Sequence, residues 1–244
     1  SAVRFLRTNE VVSAMWFNSG RRVLVLGLAK SGVGKLAKQL ALSADAAFMP
    51  GAIKLGAVPG DDYTDTIKKI ANYKADKRGF VAQGVVYPQH IEHFSGALGE
   101  LCSSFDAVLW AHRDPRDRLI SHQLFRWARV PTIKVAKGRV NEWHDDYKRF
   151  ADRLANKQQS PSSVPLLTLM AKDSNDHSYG KALASERLMY SNMPAIIEQL
   201  NNTHKFAEVS VETMFDRPLD AMVTELGLTP VNSCQLEPFS GNSW

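Results

Sequence analysis

The sequence predicts an α/β fold of three layers: a central, mainly parallel sheet with helices on both faces and a P-loop-like phosphate-binding turn. Three observations predict it. Strand and helix patterns alternate, with strands near 22–28, 80–86, 106–112 and 206–211 and helices near 33–43, 90–101 and 115–129. The runs Val23–Leu28 and Ala107–Ala111 are apolar with no polar alternation, as strands covered on both faces must be. The chemistry-bearing residues follow the carboxyl ends of strands, where ligands bind in such sheets.

The first element is the strand 22–28, which runs into Ala29-Lys-Ser-Gly-Val-Gly-Lys35 and then a helical pattern. Gly32 and Gly34 allow successive backbone N–H groups to turn inward, and the positive end of the next helix adds to them, so the turn is expected to hold a phosphate. The nearest formal pattern is the nucleotide-binding P-loop, G-x-x-x-x-G-K followed by Ser or Thr. Gly34-Lys35 fits its end, but Ala29 stands at the first glycine and Leu36 replaces the magnesium-holding hydroxyl, which disfavours a Mg-ATP enzyme. Taken alone, such a turn also serves as a plain tight connection; Lys30 and Lys35 favour the anion reading.

The buried strand ending at His112 passes at once into Arg113-Asp-Pro-Arg-Asp-Arg-Leu-Ile-Ser121. Asp114 is a good N-cap, Pro115 suits the first helical position, and Asp117 suits the positive helix end. Both aspartates read as caps rather than catalysts, and Arg116 and Arg118 as a solvated face. The stripe Ile120, Leu124, Trp127 and Ala128 is expected to face the sheet. Arg113 at the strand exit and Ser121 two turns into the helix suit a second anion contact.

These residues resemble a known family. Ala29 to Leu36 looks like the 5′-phosphosulfate loop of sulfotransferases, written P-K-S-G-T-T and an apolar or aromatic residue, and Arg113 to Ser121 is similar to their 3′-phosphate motif, R-N/D-P-x-D with a serine eight residues after the arginine. A third echo is Phe206 to Met214, then Arg217-Pro218 and the helical Leu219 to Leu228. The resemblance spans most of the chain. It implies an enzyme that moves a sulfuryl group from 3′-phosphoadenosine 5′-phosphosulfate (PAPS) to a hydroxyl or amine of a small-molecule or glycan acceptor, leaving 3′-phosphoadenosine 5′-phosphate (PAP). Donor contacts carry over to Lys30, Ser31, Gly32, Val33, Gly34, Lys35, Arg113 and Ser121. Lys30 is the catalytic cation beside the leaving oxygen. The sequence departs from the pattern at Ala29, Val33, Gly34 and Lys35, which removes two hydroxyl contacts.

The acceptor hydroxyl needs a base, and His90, in Tyr87-Pro-Gln-His-Ile-Glu-His93 after the strand 80–86, takes that role, as a histidine does in one branch of the family. Other branches use a glutamate after the second strand; Phe48 to Leu55, taken as that region, has none, and Asp61 and Asp62 come later. His112, His122 and His144 have no partners at metal-ligand spacing, so no metal is expected. Two other functions remain open on sequence alone: a P-loop small-molecule kinase using Mg-ATP, which the absence of an acid at His112 disfavours, and a non-catalytic nucleotide-binding protein on the same fold.

At 244 residues, with 44% hydrophobic and 23% charged, the chain reads as a single domain, 1–244, with one sizeable core. The net charge of +5 suits small anions; no helix-turn-helix, zinc-finger or aromatic RNA-binding motif points to nucleic acid. The two cysteines, Cys102 and Cys234, form no disulfide pattern, no run approaches a membrane span, and Ser1 to Arg7 lacks the apolar core of a signal peptide, so a cytoplasmic location is expected. The stretches 158–165 and 172–179 are polar and turn-rich, as lids, acceptor loops or plain connections are.

Overall fold

A computed structural model describes residues 21–44, 46–57, 63–73, 79–128, 140–165, 168–169, 178–202, 205–212, 219–226 and 228. The sequence readings on Ser1 to Arg7, Asp61, Asp62, 172–177, 213–218 and Cys234, and on the side chains of Leu124, Trp127, Ala128 and His144, lie outside the described residues. The chain divides into two compact units, the larger comprising the described residues of Ser1–Arg118 and Met189–Ser240, the smaller those of Leu119–Leu188 and Gly241–Trp244.

The larger unit is an α/β layer structure. Its elements are β1 (Arg21–Leu28), α1 (Val33–Ser43), β2 (Ala47–Leu55), α2 (Thr64–Ala71), β3 (Gly79–Val86), a 3₁₀ turn (Pro88–His93), α3 (Ser95–Ser103), β4 (Ala107–His112) and the start of α4 (Pro115–Ala128). After α5 (Val140–Gln159), which lies in the smaller unit, follow α6 (Ser178–Asn201), β5 (Lys205–Ser210) and α7 (Leu219–Glu225). All strand pairings are parallel, in the order β2-β3-β1-β4-β5. No helix among the described residues is long and apolar enough to cross a membrane.

The period of two along a strand divides β1 between two cores. Val23 and Val25 pack with Leu36, Ala37, Leu40 and Ala41 of α1 and with Met222 and Val223 of α7. Leu24, Leu26 and Leu28 pack on the other face with Ile70 of α2, Leu98 and Leu101 of α3, and Ile196 and Leu200 of α6. Helices therefore cover both faces. The connection from β1 runs over the first face through α1, and that from β3 over the second through α3. Adjacent strands whose connections part to opposite faces open a crevice at their carboxyl ends, the usual ligand position in such sheets.

Two sequence readings are corrected. Phe48 to Leu55, expected to follow a second strand, lie instead within one, β2. Pro50 and Gly51 disguise it; they are tolerated because β2 is an edge strand, and its pairing with β3 shifts register between Phe48 and Ala52. The single helix near 90–101 is a 3₁₀ turn and then α3, separated at Phe94, a buried residue with φ −136° and ψ 0°.

In the smaller unit, Phe150 and Leu169 form a small core with Leu154 and Val164. Lys157 Nζ, in the last turn of α5, holds the turn that follows the helix by donating to the carbonyls of Pro161 (2.8 Å) and Val164 (2.7 Å).

Candidate anion-binding site

The turn leaving β1 closes with Ser31 N–H donating to the Leu28 carbonyl at 3.1 Å. Lys30 adopts φ 71°, left-handed for a residue with a Cβ, a conformation that costs about 1–2 kcal/mol and concentrates at functional sites. Gly32 is the N-cap of α1 at φ 74°, where glycine bears no such cost. At Gly34 a Cβ would come within 2.7 Å of Gln83 Oε1, so the Gln83 side-chain end lies directly against this turn. The start of α1 has no side-chain cap and no acidic residue in its first turn. The N–H groups that begin a helix have no intrahelical acceptor, and here no side chain of the first turn offsets the positive end. Ser31 is 1% exposed and its Oγ has no hydrogen-bond partner among the described residues, a state that costs about 1–3 kcal/mol unless a ligand supplies the partner.

The turn leaving β4 is built differently. Asp114 Oδ1 accepts the Arg116 backbone N–H at 2.8 Å, the N-cap expected from sequence, and both carboxylate oxygens accept from the Arg116 guanidinium at 3.1 and 3.0 Å. The Arg116 side chain, then its backbone amide, hold the Asp114 carboxyl down to about 2. The Asp114 N–H donates to Glu212 Oε1 at 2.8 Å, and Glu212 Oε2 accepts the Ser210 hydroxyl at 2.7 Å. Burial opposes ionisation of Glu212, but these hydrogen bonds and the nearby Arg113 charge prevail and hold its carboxyl below the ordinary range. Val211 N–H also donates to the His112 carbonyl at 2.9 Å, so the end of β5 fixes the exit of β4.

Arg118 does not belong to a solvated face. It is 1% exposed; Nη1 donates to the Ala29 carbonyl at 2.9 Å and Nε to the Tyr190 hydroxyl at 3.2 Å. A helical arginine three residues after Pro115 points inward here because the carbonyl of the β1 turn needs a donor. Arg118 thereby ties the β1 turn to the β4 turn. Arg116 is the solvated one, its side chain 87% exposed.

The two turns also meet electrostatically. Lys30 is half-buried, and burial first, then the positive charge of Arg113, pull its amine below the ordinary lysine range. Because every strand is parallel, Lys30, His90, Arg113 and Glu212 all follow strand ends at the carboxyl end of the sheet. Among the other residues of the reading, Val33 is buried in the core and offers only its amide, Lys35 is half-buried, and Ser121 is buried on α4 within the smaller unit. An open cleft of about 510 Å³, bordered by Gly51, Lys54, Tyr63, Thr66, Lys69 and Gln83, comes within one side chain of Gly34 through Gln83.

His90 lies in the 3₁₀ turn, with φ −124° and ψ 36° off the helical path. Asn192 Nδ2 pins this turn by donating to the Pro88 carbonyl at 2.7 Å. The His90 and His93 rings lie 5.6 Å apart, and His93 Nε2 is 3.2 Å from Glu92 Oε1. Of these residues the sequence alone assigns a role to His90; Glu92, His93 and Gln83 carry none there, Glu212 stands only within the acidic turn after the last strand, and Arg118 reads as part of a solvated face. The H-x-E-H spacing and the acidic turn after β5 were visible signals; the inward arginine and Gln83 carried none. His122 Nδ1 lies 3.8 Å from Glu186 Oε1 in the smaller unit. Cys102 is a buried free thiol that burial pushes up to about 12.

No protein-family model matches this chain, and no curated protein is similar enough to stand as a relative.

Proposed function

We propose that this protein transfers a sulfuryl group from PAPS to a hydroxyl or amine of a small-molecule or glycan acceptor. The observation that carries the reading is the turn after β1, where Lys30 at φ 71° and a buried Ser31 hydroxyl without a partner among the described residues adjoin an uncapped helix start. The donor needs two anion contacts, and the residues fit it. Lys30, the buried Ser31 hydroxyl and the amides of Gly32, Val33, Gly34 and Lys35 would hold the phosphosulfate end. Arg113 would hold the 3′-phosphate through its planar fork, and the resemblance adds Ser121.

When bound, the donor supplies the sulfuryl group. Lys30 then places its ammonium where negative charge grows on the leaving oxygen, and its half-burial strengthens that interaction. His90 would accept the acceptor's proton as the new bond forms. The cleft beside Gln83 is the acceptor's approach. Leu36, at the position of the magnesium-holding hydroxyl in nucleotide-hydrolysing loops, is fully buried in the core and offers no ligand.

The test is turnover of sulfur-labelled donor against alcohol, phenol, sugar and amine acceptors. Lys30→Ala is expected to lower turnover about 100-fold while weakening donor affinity less. Equal losses would reduce Lys30 to a holding residue, and binding of Mg-ATP in place of PAPS would replace sulfuryl by phosphoryl transfer.

A further inference from the structure

We propose that His90, Glu92 and His93 form a binding site for a divalent transition metal of the zinc type. Each residue offers one ligand atom, and these atoms all lie within 4.8 Å of one another. Two imidazoles and a carboxylate are a ligand set that zinc favours, and three protein ligands leave a fourth position for water or a small anion.

The spacing fits. Ligands about 2.0–2.1 Å from a tetrahedral ion stand about 3.3 Å from each other, and Glu92 Oε1 and His93 Nε2 already stand 3.2 Å apart. The His90 ring comes beside His93 at 5.6 Å because the His90 backbone, at φ −124° and ψ 36°, leaves the helical path. The segment is held at both ends, by Asn192 on the Pro88 carbonyl and by buried Phe94. Its backbone is therefore ordered before an ion arrives, which lowers the entropic cost of binding. The side chains of His93 and Glu92 are 31% and 61% exposed, which gives an ion a path in and lets the carboxylate and ring adjust.

A metal ion would bind through the imidazole lone pairs. Because His90 is the base of the reading above, an ion held there also removes the lone pair that would take the acceptor's proton. Free zinc would then suppress transfer. The binding itself does not depend on that reading.

The experiment is calorimetric titration of the full, tag-free chain with Zn²⁺ at about pH 7.5, repeated with Co²⁺ as a coloured probe. One ion per chain is expected, with affinity at least about tenfold weaker in His93→Ala and in Glu92→Gln, since even partners one shell further out change metal affinity by that much. Thermal melts confirm that the variants fold; Glu92→Gln alters an exposed side chain and keeps the test valid if His93→Ala does not fold. Absence of saturable binding, or binding unchanged in both variants, overturns the proposal.

Discussion

The turns after β1 and β4 both launch a helix from the carboxyl end of the sheet, yet they treat the positive helix end in opposite ways. At α4, Asp114 caps the backbone, Asp117 lies in the first turn, and Glu212 takes the Asp114 amide. At α1 the cap is a glycine, no acid lies in the first turn, and a serine hydroxyl is buried without a partner among the described residues. The β4 turn supplies its own anions, so what it offers a ligand is the Arg113 side chain. The β1 turn withholds them, so what it offers is backbone, hydroxyl and Lys30. Arg118 fastens one to the other.

The comparison breaks most visibly at that fastening. Arg118→Met should destabilise the protein by about 3 kcal/mol in urea unfolding, since the Ala29 carbonyl and the Tyr190 hydroxyl both lose a charged donor. Unchanged stability would mean the two turns are not mechanically joined. Next in size is Gly32→Ala, which forces a Cβ into φ 74° and toward Val211 at 3.2 Å; it should cost about 1–2 kcal/mol, with Gly32→Asn milder. Equal stability of all three proteins would show that the cap geometry is not under constraint.

Asp114→Ala should destabilise only the self-capped turn, and its pH dependence gives the sign. The Asp114 carboxyl falls from 3.8 to about 2 on folding, so its contribution is complete above the unfolded value and disappears as pH falls through the folded one. The stability gap between wild type and variant should therefore hold steady above about pH 4 and close toward pH 2. A gap that persisted at pH 2 would contradict the assignment. The smallest effect is electrostatic: Arg113→Met should raise the Lys30 pKa, read from the pH dependence of amine modification, because one of the two causes of its depression is gone.

The sheet and both turns were legible in the sequence because buried parallel strands are apolar throughout and because caps use distinctive residues, as Pro115 and Asp114 do. β2 was not, since an edge strand tolerates Pro50 and Gly51, the residues that ordinarily mark a break. Arg118 was misread for a different reason. Helical periodicity says which face a side chain lies on, but whether that face meets water depends on a carbonyl 89 residues earlier in the chain. The Glu212 contact is likewise non-local, linking β5 to the β4 exit.

The proposed function requires the β1 and β4 turns to hold one anionic nucleotide between them. Its most direct test is the affinity of PAP, by calorimetry, for wild type, Lys30→Ala and Arg113→Ala. The account predicts that both substitutions weaken binding, Arg113→Ala by about tenfold or more as a charged hydrogen bond is lost. PAP affinity that falls in one variant and is untouched in the other would contradict it, leaving the turns as separate features at the carboxyl end of the sheet.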